Sequence, residues 1–152
     1  MKITQFDMFL KQAQEVKIRH HPRYLEDKLQ INCRYWFDLQ YPQYRLLLHH
    51  SPNEGLLVNR KADGAKHKAM GVRAGFPDFI LLLPNEEYVY LAIELKTEKG
   101  VQSKEQKTYQ ATVERFGGHY VIVRSIEQFK EVVDKYIANR KTLINFDEDG
   151  KA

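Results

Sequence analysis

Residues 75–100 read GFPDFILLLPNEEYVYLAIELKTEKG, and this stretch decides the fold. Two apolar runs, Phe76 to Leu83 and Tyr88 to Lys96, flank the turn-forming Pro84-Asn85-Glu86-Glu87. Runs of this composition on either side of such a turn predict an antiparallel hairpin. Turning symmetrically about Glu86, the hairpin sets Asp78 directly opposite Glu94. Opposed residues of an antiparallel pair point to one face, with Cβ atoms about 4.5–5.5 Å apart. Lys96 lies two residues beyond Glu94 and shares its face. The alternate positions Val89, Leu91, Ile93 and Leu95 form an apolar row for the core. A one-residue slip would exchange the two sets.

Two carboxylates held that close repel one another unless a cation sits between them. Hard divalent cations prefer carboxylate and carbonyl oxygens. A bound metal can polarise a phosphate and lower the pKa of a coordinated water, and a nearby ammonium stabilises the charge that develops on the phosphate. Asp78, Glu94 and Lys96 therefore suit metal-assisted phosphodiester hydrolysis. The bland reading, a surface Asp with a neighbouring Glu–Lys pair on an edge strand, stays open from spacing alone.

Working outward, Leu25, Leu29, Cys33 and Trp36 recur at helical spacing between Tyr24 and Gln40, and Pro42 closes that helix. Glu26 and Gln30 flank its apolar stripe. They either look along the sheet toward the site, with Glu26 as an extra acidic ligand, or line a solvated helix flank. Tyr44 to His49, with three leucines, predicts a buried strand. Ser103 to Phe116 predicts a helix opened by an N-cap serine and closed by Gly117-Gly118, with Tyr109, Val113 and Phe116 on its packed side. In that helix Ser103-Lys104-Glu105-Gln106 fits a capping box, a use of Gln106 that competes with a place in the site. Tyr120 to Val123 reads as a short strand and Glu127 to Ala138 as a final amphipathic helix. The order implies an α/β domain with a mixed sheet flanked by helices. Residues 1–22 read as an N-terminal extension, 23–138 as the domain, and 139–152 as a flexible acidic tail.

The 152 residues suit one domain, and 43% hydrophobic with 29% charged residues is the balance of a protein with a real core. A single cysteine, Cys33, excludes an internal disulfide framework and any zinc site built on several thiolates. Cys33 reads as a small buried apolar residue. No segment approaches the roughly 20 apolar residues of a membrane span, and the opening residues lack the apolar run of a signal peptide. The net charge of +4 is local. Asn59 to Arg73 carries Arg60, Lys61, Lys66, Lys68 and Arg73 against Asp63 alone, and the remaining residues balance. Such a segment suits a phosphate backbone, or is an ordinary solvated loop. The pairs His20-His21 and His49-His50 read as turn or capping residues rather than metal ligands. Tyr35, Trp36, Phe37 and Tyr41 read as core or dimer surface rather than base-stacking platforms.

Gly75-Phe76-Pro77-Asp78, then Ala92-Ile93-Glu94-Leu95-Lys96-Thr97-Glu98-Lys99-Gly100, then Ser103-Lys104-Glu105-Gln106 resemble the VRR-NUC nucleases, a branch of the PD-(D/E)xK, restriction-endonuclease-like superfamily. The Glu26-to-Gln30 helix, the Asn53 loop and Tyr120-Val121-Ile122-Val123-Arg124-Ser125 also fit, so the likeness runs over about residues 23–136. It implies Asp78, Glu94 and the Leu95 carbonyl as metal ligands, Lys96 as catalytic lysine, Glu26 as accessory carboxylate and metal ligand, and Gln106 as the motif glutamine. One departure is Ser125, where the family name has a second arginine after Val123-Arg124. The resemblance further implies Mg²⁺ or Mn²⁺ as cofactor and a restriction-endonuclease-like core. Expected DNA contacts are Arg60, Lys61, Lys66, Lys68 and Arg73 of the basic segment, with Lys99 of the motif.

Stand-alone members of this kind, found in phages and bacteria, resemble dimeric Holliday junction resolvases. The leading expectation is accordingly a structure-specific endodeoxyribonuclease acting on branched DNA as a homodimer, cytoplasmic, nucleoid-associated or phage-encoded. A dimer brings two cutting sites related by two-fold symmetry to a four-way junction. A flap or single-strand nuclease, and a non-catalytic DNA-binding module, are the alternatives.

Overall fold

The computed structural model describes residues 22–51 and 68–139. The extension up to residue 21, the Asn53 loop, Arg60, Lys61, Lys66, His20-His21 and the tail beyond residue 139 lie outside the described residues. Helix α1 runs Pro22–Gln40, followed by a 3-10 turn, Pro42–Tyr44. Strands β1 (Leu48–His50), β2 (Phe79–Leu81) and β3 (Tyr90–Leu95) come next, then α2 (Lys104–Arg115), β4 (Gly118–Val123) and α3 (Ile126–Ala138). The strands form one sheet in the order β1-β2-β3-β4. The first two pairings are antiparallel and the β3–β4 pairing is parallel, with α2 as the crossover. This is the expected α/β, mixed-sheet architecture.

The hairpin register is the predicted one. Phe79 pairs with Ile93, Ile80 with Ala92 and Leu81 with Leu91, so one further step sets Asp78 against Glu94. Both strands are shorter than expected because the loop between them is held by Asn85. The Asn85 Oδ1 accepts the N–H groups of Glu87 and Tyr88 at 2.9 and 2.7 Å, and its amide donates to the Tyr136 carbonyl. The Tyr136 hydroxyl donates to the Leu83 carbonyl at 2.8 Å. These bonds hold residues 83–88 as a loop between the strands.

On one face of the sheet Phe79, Leu81, Leu91, Ile93 and Leu95 pack on Cys33, Trp36 and Phe37 of α1 and on Phe129, Val133 and Tyr136 of α3. Each fully buried large side chain there contributes about 1.5–3 kcal/mol. Trp36 meets Phe129 edge to face, with centroids 5.9 Å apart. Trp36 and Phe37 are core, one of the two places expected for the aromatic cluster, and Tyr41 ties the layer by donating to Asp134 Oδ1 at 2.6 Å. Cys33 is fully buried, and burial pushes its thiol pKa up, as suits an inert apolar residue.

The opposite face is also covered. Ala92, Val113 and Tyr120 form a second apolar cluster under α2, joined by Tyr90, Tyr109 and Ile122. Glu94 is consequently buried between layers rather than standing on an open polar face. Among the described residues no helix is long and apolar enough to cross a membrane.

Four local expectations are corrected. The segment beginning at Tyr44 is not a strand until Leu48, because the N–H groups of Tyr44 and Leu47 close successive turns onto the carbonyls of Tyr41 and Tyr44; Leu46 is thereby exposed. Leu25 is exposed, since α1 meets the core only from Leu29 onward. Val89 precedes β3 and is exposed, its N–H given to the Gly117 carbonyl. Phe116 is 69% exposed, because it caps α2 beyond the last packed turn.

Candidate active site

Asp78 sits at the mouth of β2, after the turn Gly75-Phe76-Pro77. Gly75 has φ of +81°, and a Cβ there would come within 2.5 Å of the Glu105 carbonyl carbon and 2.7 Å of the Gln106 nitrogen. Only glycine combines that backbone conformation with so close an approach. The Gly75 backbone is thus seated directly on the first turn of α2. One Asp78 carboxylate oxygen, Oδ2, accepts the Leu95 N–H at 2.7 Å, so the hairpin itself orients the side chain.

Glu94 is 2% exposed and fully engaged. Its Oε1 meets the Lys96 ammonium at 2.7 Å and also accepts from the Gln106 amide, while its Oε2 accepts the Tyr120 hydroxyl at 3.2 Å. Gln106 does both things that its position suggested. Its Oε1 accepts the Ser103 N–H at 2.8 Å to complete the capping box, and its Nε2 is left to reach Glu94. A glutamine has one acceptor and one donor end, so capping and site use do not compete.

Electrostatics follow from this crowding. Burial, then the charge of Asp78, pushes the Glu94 pKa up to about 7. Burial also raises Asp78, against the Leu95 N–H and Lys96 that pull it down. Burial acts to lower Lys96, but its hydrogen bond and charge contact with Glu94 outweigh that and leave it above its ordinary value. With both acids ionised, the metal-free centre holds more negative charge than its one ammonium neutralises, the condition that a divalent cation relieves.

Glu26 arrives from the other layer. Its Oε1 accepts the Thr97 N–H at 3.0 Å, just past Lys96. Among the described residues no three His, Cys, Asp or Glu side chains gather as a metal-holding group; the Glu26 charge acts on Asp78 and Lys96. Gln30, one turn further along α1, meets His50, whose Nδ1 lies 2.9 Å from the Asp78 carbonyl. The Gln30 amide nitrogen lies 2.7 Å from Nδ1 and 2.9 Å from Nε2 of that ring. His50 thus holds the Asp78 backbone from strand β1.

Three contributors escaped the sequence reading. Tyr120 appears there only as a strand residue, yet parallel pairing sets it against Ala92 and brings its hydroxyl to Glu94. Arg124 donates from one guanidinium nitrogen to the carbonyls of Thr97, Glu98 and Gly100, pinning the loop that follows Lys96. Ser125, the departure from the family name, N-caps α3 by accepting the Gln128 N–H at 3.1 Å. Of the expected DNA contacts, Lys68, Arg73 and Lys99 are described and exposed.

A carboxylate on one strand, a second opposite it and a lysine two residues on make up the centre of the PD-(D/E)xK nucleases. The VRR-NUC domain model matches residues 11–127, and the chain belongs to that family. A solved structure described as a VRR_NUC domain protein superposes with a TM-score of 0.67 at 26% identity, covering 82% of this chain and 94% of the other. No curated protein matches the chain. The family match begins at residue 11, inside the stretch read as an extension, and the helix α3 continues past its end. The chain is therefore a nuclease domain protein.

Proposed function

We propose that this protein is a metal-dependent, structure-specific endodeoxyribonuclease that cuts branched DNA as a homodimer, in the manner of a Holliday junction resolvase. The observation that carries the catalytic part is Glu94. It is a buried carboxylate opposed to Asp78 and paired to Lys96, and its pKa is raised to about 7. A binding module has no need for so destabilising an arrangement.

Asp78, Glu94 and the Leu95 carbonyl are the proposed metal ligands, with Glu26 as the accessory carboxylate. Two carboxylates and a carbonyl fit Mg²⁺ or Mn²⁺, ions that keep several waters and complete their shells with substrate phosphate. When bound, the metal supplies Lewis-acid activation of the phosphate and of a water. Lys96 balances charge at Glu94 and stabilises the developing phosphate charge. Gln106 and Tyr120 hold the two Glu94 oxygens, so the carboxylate does not rotate. Lys68, Arg73 and Lys99, with Arg60, Lys61 and Lys66, take the DNA backbone.

The branched-DNA and dimer parts rest on the resemblance to the dimeric junction resolvases of this family. The test assays labelled four-way junctions, flaps, splayed arms and single strands side by side with Mg²⁺ or Mn²⁺, with the mass measured by light scattering. Paired incisions in junctions by a dimer, lost in Asp78→Ala and Lys96→Ala, are expected. Preferred cutting of flaps or single strands by a monomer would overturn the resolvase reading while keeping the nuclease. Full activity in either variant would overturn the site.

A further inference from the structure

The outer face of α2 has no place in the site described above. Lys104, Lys107, Thr108, Ala111, Thr112, Arg115 and Phe116 line a shallow groove along it. All seven are exposed. They recur at the i, i+3, i+4, i+7 spacing of a single helix face. The three charged members are all basic, and none forms an ion pair among the described residues. Thr108 and Thr112 turn their hydroxyl protons inward, onto the carbonyls of Lys104 and Thr108, and leave oxygen lone pairs at the surface.

We propose that this face is a second DNA-contact surface, taking the phosphate backbone of the strand that leads away from the cleavage site. The proposal rests on the reading that DNA is the substrate. Two observations carry it. The first is charge: a stripe of Lys and Arg, with no carboxylate lining the groove, is complementary to phosphate. The second is continuity. The stripe begins on the helical turn whose Gln106 bonds Glu94 from the opposite face, so a strand lying along α2 starts one helix diameter, ~10 Å, from the catalytic centre. From Lys104 to Arg115 the helix advances about 16 Å at 1.5 Å per residue, the axial length of about five nucleotides at 3.4 Å each. At the far end the Arg115 guanidinium lies 5.6 Å from the Phe116 ring centroid.

The experiment measures binding of a labelled DNA duplex to the full chain by fluorescence anisotropy in EDTA, across a salt series. It compares wild type, the triple variant Lys104→Ala/Lys107→Ala/Arg115→Ala, the charge-preserving Lys104→Arg/Lys107→Arg, and Phe116→Ala. The triple variant is expected to bind at least tenfold more weakly at moderate salt. The slope of log K against log salt should shrink by about 0.9 for each phosphate that is no longer neutralised. The arginine variant should keep both affinity and slope. An unchanged slope in the triple variant, or a loss caused by Phe116→Ala with the charge variants neutral, would overturn the proposal. So would a change of oligomeric mass in the triple variant without a change in DNA affinity, which would mark the face as an interface between copies. A wild type that cuts DNA with Mg²⁺ while the triple variant binds normally would overturn this proposal alone. A wild type that neither binds nor cuts DNA would overturn both it and the nuclease reading.

Discussion

Gln106 and Glu94 are joined side chain to side chain, from the first turn of α2 to the buried strand β3. The same glutamine closes the helix cap through its other end. Helix start and active site therefore share one residue, and substitutions in the cap can separate the two jobs.

Ser103→Ala removes the side-chain oxygen that accepts the Gln106 N–H at 3.2 Å. It should cost about 1 kcal/mol of stability and leave most cleavage intact, because the Gln106 bond to Glu94 does not pass through the serine. Gln106→Ala should cost a similar amount of stability and a far larger share of cleavage. Urea midpoints measured beside nicking rates check the pair, and equal loss of activity in both variants would refute the division.

Stability of the metal-free protein should fall as pH rises from about 4.5 to about 7. Glu94 has its folded pKa raised from 4.5 to about 7, so its protonated form favours the fold. That contribution is full below the unfolded value and lost as pH passes the folded one. Asp78 shifts in the same direction. The loss from Glu94 is on the order of 3 kcal/mol. Lys96, raised above 10.5, titrates outside this window. Thermal melts in EDTA should show the decline in wild type and a smaller one, left to Asp78, in Glu94→Gln, and Mg²⁺ should restore the wild-type melting temperature near neutral pH.

Gly75→Ala should be much more damaging than Gly71→Ala. Both glycines have positive φ, +81° and +99°, and both changes carry backbone strain of roughly 1–3 kcal/mol. A Cβ at Gly71 would meet nothing within 4 Å, whereas one at Gly75 would press on the Glu105 and Gln106 backbone. Only Gly75→Ala should therefore shift α2 and reduce cleavage as well as melting temperature. Similar melting temperatures for the two variants would show that the seat on α2 is slack.

Arg124→Lys should loosen the loop after Lys96 without unfolding the domain. One guanidinium nitrogen serves three carbonyls, and Arg124 is exposed enough that charge alone contributes little. A lysine keeps the charge but not the planar fork. Hydrogen exchange should quicken over Thr97 to Gly100, with that of α1 and α3 unchanged, and binding through Lys99 should weaken.

The hairpin was legible because its information is local. Turn residues and alternation alone set Asp78 against Glu94, and β2 and β3 pair in that register. The cap at Ser103 was legible for the same reason. Tyr120 was hidden because its role needs the parallel pairing of β4 with β3, which no short-range pattern specifies. The leucines after Tyr44 misled because hydrophobicity does not distinguish a strand from a turn whose N–H groups bond backward. Both faces of β3 are buried, so alternation marked the side of Glu94 without revealing that α2 covers it.

The loop between β2 and β3 is stapled by Asn85 and Tyr136 to the end of α3. The Glu86 N–H adds a bond to the Asn139 carbonyl at 3.0 Å. The turn is thereby a fixed origin, and the spacing of Asp78 and Glu94 is counted from it along two strands. Lengthening or shortening one strand by a single residue would bring Ile93 or Leu95 opposite Asp78, and the proposed catalytic centre would vanish as the apolar row turned to the other face. Insertions and deletions should accordingly be tolerated least between this turn and its two acids, where residue count itself is the specification.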